Sequence, residues 1–142
     1  MDAAIAEAEA AAARGEVPIG AVVVRDGAIL ARDGNRTIAD ADPTAHAEML
    51  ALRAAARALG TERLADCDLY VTLEPCPMCA AAIALARIRR LVFGAYDPKG
   101  GGVDHGPRIF EQPTCHHRPE VTGGIEETRT GELLRRFFQE RR

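Results

Sequence analysis

His46-Ala47-Glu48 and, about thirty residues later, Pro75-Cys76-Pro77-Met78-Cys79 are the segments of this chain whose residue types and spacing could do chemistry. One imidazole and two thiolates are good zinc donors, and three protein ligands leave a tetrahedral zinc one open position for water. A purely structural site would close that position with a further Cys or His, so the set reads as catalytic. Zinc bound in this way lowers the pKa of its water to about 7. Glu48 need not touch the metal and is free to move protons as a general acid–base. Taken singly, His46 reads as a core histidine and Cys76-x-x-Cys79 as a redox dithiol or half a zinc knuckle. Taken together they read as the site of a zinc hydrolase.

Such a site needs elements that bring the two segments together. Pro43-Thr44 precedes a helical pattern over 45–59 closed by Gly60, which makes Thr44 a candidate N-cap and puts His46 and Glu48 in the first turn. Residues 68–73 alternate as a strand and run through Glu74-Pro75 into a second helix over 77–86. Cys76 and Cys79 open that helix, and a spacing of three puts both sulfurs on one face. At helix N-termini the macrodipole and free N–H groups favour thiolate over thiol.

The remaining pattern predicts a helix over 2–14 stopped by Gly15, then apolar runs over 19–24 and 28–30 hinged at Asp26-Gly27, a hairpin signal. A polar loop over 33–42 follows and contains Asn35. Further strands are predicted over 91–95 and 120–122, with a Gly- and Pro-rich loop over 97–106, one helical turn over 107–110, and a terminal helix over 126–139. Alternating strands and helices predict an α/β fold, a three-layer α/β/α sandwich around a mixed five-stranded sheet. At 142 residues, with no linker or repeat, the chain is expected to be one domain spanning 1–142.

Composition limits the alternatives. A hydrophobic content of 47% with 27% charged residues is that of a globular protein. No apolar run approaches the roughly twenty residues of a membrane span, and Met1-Asp2-Ala3-Ala4 lacks a basic signal region, so a cytoplasmic location is expected. In a reducing cytosol Cys67 and Cys115 read as ordinary thiols. The formal net charge of −3 does not advertise nucleic acid, although arginines cluster at Arg87, Arg89, Arg90 and at Arg135, Arg136, Arg141, Arg142.

His-x-Glu with Pro-Cys-x-x-Cys is the signature of zinc-dependent cytidine and adenosine deaminases. The segments 16–22, 42–48, 69–79 and 94–101, with Leu133-Leu134-Arg135-Arg136-Phe137-Phe138, closely resemble the bacterial tRNA-specific adenosine deaminases. That resemblance covers nearly the whole chain and implies a cytidine deaminase-like fold. It implies hydrolytic conversion of adenosine to inosine at the wobble position of tRNA, chiefly in the arginine anticodon. It also implies one zinc per subunit on His46, Cys76 and Cys79, and no organic cofactor. Glu48 would protonate N1 of adenine as hydroxide attacks C6, then protonate the departing ammonia. Asn35, Val17, Ala45 and Asp97 match residues around the flipped nucleotide, with Pro18 beside Val17 in the pocket wall. His117, Arg118, Phe137, Phe138, Arg141 and Arg142 match an RNA-facing set, and the partners implied are a tRNA anticodon stem-loop and a second copy of the chain. The helix after Cys79, with Ala80, Ala81, Ala82 and Ile83, offers small residues for such a homodimer.

Two other readings stay open on the residues themselves. A deaminase of a free base or nucleoside, such as guanine or cytosine, would use the same zinc chemistry. A non-catalytic zinc-stabilised module would keep the ligands but has no use for Glu48.

Overall fold

The computed structural model describes residues 1–141. The chain runs α1 (Asp2–Ala13), β1 (Gly20–Arg25), β2 (Ala28–Gly34), α2 (Ala47–Leu59), β3 (Cys67–Leu73), α3 (Pro77–Leu85), β4 (Arg90–Ala95), a 3-10 turn (Ile109–Glu111), β5 (Glu120–Thr122) and α4 (Glu127–Gln139). The five strands form one sheet in the order β2-β1-β3-β4-β5. β1 pairs antiparallel with both β2 and β3, while β3, β4 and β5 run parallel, so the sheet is mixed as expected.

Side chains alternate across this sheet with the period of two that strands impose. Ala21, Val23, Leu69, Val71, Leu91 and Phe93 point to one face, where Leu52 of α2 and Ile83 of α3 complete the main core. Val22 and Val92 are buried on the other face, which α1 and α4 cover. α1 can lie close because its buried stripe, Ala4, Ile5, Ala8 and Ala11, is mostly alanine at helical spacing. Helices therefore cover both faces, giving the three-layer sandwich.

The hairpin turn is the one the Asp-Gly pair predicts. Asp26 and Gly27 both take positive φ, 50° and 77°, as a two-residue turn between twisted strands requires. β2 runs further than its apolar stretch, to Gly34, because the whole of β1 has a ladder partner there, from Arg25↔Ala28 to Gly20↔Gly34. Polar Arg32 and Asp33 are accommodated because β2 is an edge strand. Thr44 does not cap α2. Its hydroxyl donates to Asp42 Oδ1 at 2.7 Å, and His46 takes the N-cap position at φ −74°, ψ 151°.

Strand directions decide where a site can form. The C-terminal ends of the parallel pair β3 and β4 lie together, with Leu73 beside Ala95. The start of β1 joins them through Ala21↔Val71, and the end of β2 joins it through Gly20↔Gly34. One edge of the sheet thus collects the residues before Gly20, after Gly34, after Leu73 and after Ala95. The carboxyl end of parallel strands is where open α/β sheets hold ligands.

Candidate active site

His46 and Cys76 occupy equivalent positions, each as the extended N-cap residue of a helix at that edge. Pro77 opens α3 with the fixed φ that a first helical position favours, and Cys79 follows one turn later on the same side. His46 Nδ1 lies 3.6 Å from Cys76 Sγ and 3.5 Å from Cys79 Sγ. All the donor atoms fall within 4.8 Å of one another. A tetrahedral zinc with Zn–N about 2.0 Å and Zn–S about 2.3 Å has N···S edges of about 3.5 Å, so these side chains already stand at the corners such an ion needs. Among the described residues this is the one cluster able to hold a metal, and Cys115, His116 and His117 form no second one.

Protons in the site are shared rather than lost. A hydrogen bond from the Cys79 thiol, with a second from His46, holds the Cys76 thiol down at about 4 against its burial. Cys79 is pushed up by that same partnership and by its own burial. The neighbouring thiolate raises His46 in turn. A cation at the centre favours loss of the remaining thiol proton, since only thiolate is a ligand.

Glu48 sits in the first turn of α2, 3% exposed. Its Oε1 is buried with no hydrogen-bond partner among the described residues. Burial pushes the carboxyl up to about 7, and the charge on Cys76 adds to the shift while His46 opposes it. A buried carboxyl that titrates near neutrality, with one oxygen uncommitted, is what proton transfer to a bound molecule requires.

Asn35 follows β2 and is 6% exposed. Its Oδ1 accepts the N–H of Ala47 at 2.9 Å and so caps α2 from outside the helix. Ala45, fully buried, accepts the Arg36 N–H at 3.0 Å and fixes the chain just before His46. Val17, Asp97 and Phe138, drawn from separate parts of the sequence, meet in a groove of about 510 Å³ walled by Leu73, Tyr96 and Leu134. Pro18, next to Val17, is buried. Asp97 Oδ1 accepts the N–H groups of Lys99 at 3.2 Å and Gly100 at 3.0 Å, shaping the loop that forms one side.

Other expected residues fall elsewhere. Phe137, on α4, is buried, with the Arg141 guanidinium 3.5 Å from its ring centroid, so it packs within the chain. Phe138 is 49% exposed at the groove and meets Phe137 edge to face with ring centroids 5.4 Å apart. His117 Nε2 bonds the Ile88 carbonyl at 2.7 Å, before the start of β4. His117 and Arg118 therefore stand at the opposite edge of the sheet from the metal ligands of their own chain, because they precede β5, which runs parallel to β4. In α3, Ala80 and Ile83 face the core, leaving Ala81 and exposed Leu85 on the outer side. Arg142 lies outside the described residues. Two buried acids at the site, Glu16 and Glu74, carry loop contacts that sequence reasoning missed. For Glu74 the available signal was an acid placed directly between the last strand residue, Leu73, and Pro75.

Residues 1–95 match the family model described as the cytidine and deoxycytidylate deaminase zinc-binding region. A tRNA-specific adenosine deaminase of Agrobacterium fabrum (strain C58) is 60% identical over 142 residues, covering 100% of this chain and 93% of that one. A solved structure from a study of A-to-I editing by tRNA:A34 deaminases at the wobble position superposes with a TM-score of 0.93 at 60% identity, covering 94% of this chain and 97% of the other. A guanine deaminase from Nitrosomonas europaea superposes with a TM-score of 0.81 at 25% identity, covering 94% and 80%. With the zinc-binding region matched and the relatedness running the length of the chain, the protein belongs to the cytidine and deoxycytidylate deaminase family, in the branch of the tRNA-specific adenosine deaminases.

Proposed function

We propose that this chain, acting as one deaminase domain, hydrolyses adenosine to inosine at the wobble position of tRNA, chiefly in the arginine anticodon, with Glu48 as its catalytic acid–base. The observation that carries the chemistry is the uncommitted, buried Oε1 of Glu48 beside the His46, Cys76 and Cys79 donors. Zinc held by those donors would supply a water acidified enough to be a nucleophile at neutral pH. Glu48 would carry one proton to N1 of the adenine ring as oxygen adds to C6, and would then move the proton of that new hydroxyl to the exocyclic nitrogen, so that the C6–N bond breaks and ammonia leaves. The side-chain N–H groups of Asn35 make no hydrogen bond among the described residues and are available to the nucleotide. Val17 and Ala45 give the base an apolar surround, and Asp97 faces the ribose.

Full-length relatedness to tRNA-specific adenosine deaminases supports RNA as the substrate. The groove beside the site, open and flanked by Lys99 and Phe138, suits a nucleotide still joined to its strand. Exposed Arg135, Arg136 and Arg141 on α4 and its end can meet the phosphate backbone in spite of a net charge of −3. The chain acts as a homodimer, in which His117 and Arg118, at the opposite edge of the sheet from their own metal ligands, would meet RNA held at the site of the second copy. No helix among the described residues is long and apolar enough to cross a membrane, and all four cysteines are free, which fits the cytoplasm, where tRNA is modified.

A free-base deaminase is the competing reading, favoured by the guanine deaminase neighbour at 25% identity. Ammonia release should be measured on an anticodon stem-loop with wobble adenosine and, separately, on free guanine, adenine and cytosine. Release from the stem-loop supports the proposal. Release from free bases alone would sink it.

A further inference from the structure

Glu74 stands between Leu73, the last residue of β3, and the Pro75-Cys76 turn, and its side chain is completely buried. A buried carboxylate demands partners, and this one has five. Oε1 accepts the Asp97 N–H at 3.0 Å and shares a hydrogen bond with His105 Nδ1 at 2.8 Å. Oε2 accepts the N–H groups of Val103 at 3.2 Å, Asp104 at 3.0 Å and His105 at 3.1 Å. Four of the partners are backbone N–H donors, and three of them converge on Oε2.

These donors all belong to the 97–105 loop, and the same loop touches the metal-bearing turn directly. The Gly102 N–H donates to the Pro75 carbonyl at 2.8 Å, and a Cβ at Gly102 would meet Pro77 N at 2.6 Å. A Cβ at Gly101 would land on the Glu74 carboxylate itself and lie 2.6 Å from the Asp97 carbonyl. The loop is thus fastened at one end to the cysteine turn, while its other end presents Asp97, Lys99 and Gly100 to the groove.

We propose that Glu74 is a positioning residue for the substrate, its carboxylate fixing the 97–105 loop, and with it the Asp97 side of the groove, in register with Cys76. This rests on the deaminase reading above. Glu74 touches neither the metal nor the reacting atoms. Its effect therefore falls on how well the nucleic acid is held, not on the chemical step.

Two substitutions approach the contact from opposite sides. Glu74→Gln replaces one acceptor oxygen by a donor and sets it against N–H groups. Gly101→Ala leaves the carboxylate in place and pushes the loop away from it. With zinc-loaded protein and the wobble-adenosine stem-loop, each variant is expected to raise KM about tenfold or more, with kcat within about threefold of wild type. Zinc per chain is expected to stay unchanged, while the amides of Val103, Asp104 and His105 exchange faster. If Glu74→Gln does not fold, Gly101→Ala carries the comparison alone. An active wild type whose variants melt lower but keep their KM would overturn the proposal, as would loss of zinc with KM unchanged. A wild type inert on the stem-loop would overturn the deaminase reading itself, and the positioning role with it.

Discussion

The Oδ1 of Asn35 accepts the backbone N–H of Ala47 at 2.9 Å, so a residue after β2 caps the helix that carries Glu48. The cap commits the Asn35 amide oxygen to the helix and leaves its side-chain N–H groups without a hydrogen bond among the described residues. In the proposed reaction, one side chain would thereby join the placement of the acid–base to that of the nucleotide.

Two substitutions separate those roles. Asn35→Asp keeps an acceptor, with a charge the helix N-terminus favours, but has no N–H to offer the substrate. It is expected to melt close to wild type and to lose tenfold or more in kcat/KM on the stem-loop. Asn35→Ala should lose activity and also about 1 kcal/mol of stability. Equal melting losses in both variants would contradict the cap.

Phe137 and Phe138 should also part company. Phe137 is buried, and truncation of a core phenylalanine costs about 3–5 kcal/mol, so Phe137→Ala is expected to melt much lower. Phe138→Ala, at the exposed groove, is expected to keep its melting temperature and to raise KM for the stem-loop. Denaturant melts and steady-state kinetics on the pair test this.

Glu16 gives a pH dependence of defined sign. Burial alone would raise its carboxyl, but N–H groups of Ala39 and Ile38 and the Thr37 hydroxyl outweigh that and hold it below the ordinary 4.5. A carboxylate lowered in the folded state contributes stability that is present above 4.5 and lost as pH falls through its folded value. Wild type should therefore destabilise steadily below pH 4.5, and Glu16→Gln should show a flatter curve in that window. Melting temperatures across the acid range measure it. Parallel curves would contradict the assignment.

Chelation tests the metal site without the reaction. Removing zinc is expected to abolish activity and lower the melting temperature, since an ion bound only by the folded state stabilises it. Cys76→Ser should bind well under the about one zinc per chain that a single three-ligand site holds. Full metal content in Cys76→Ser would contradict the ligand set.

The cluster of His46, Cys76 and Cys79 donors was legible because each lies in a short local motif at a helix start, where a spacing of three has direct geometric meaning. The strands and helices were legible from periodicity for the same reason. The Asn35–Ala47 cap was not, because its partners meet only once β2 and α2 pack, and the nearer Thr44 looked like the cap. Glu74 was hidden more deeply. Its partners lie 23 to 31 residues away in a loop without periodicity, and only the parallel β3–β4 pairing brings that loop over the cysteine turn. The placement of His117 and Arg118 depended on the direction of β5, which three residues of sequence do not declare.

Glu48 offers the most direct test of the central claim. Wild type and Glu48→Ala, each confirmed to hold zinc, should be compared in single-turnover formation of inosine in an arginine anticodon stem-loop. The wild type is predicted to convert the wobble adenosine, and the variant to be slower by about 10²–10⁴-fold, the contribution of a positioned acid–base. Inosine formed by Glu48→Ala at the wild-type rate would contradict the account.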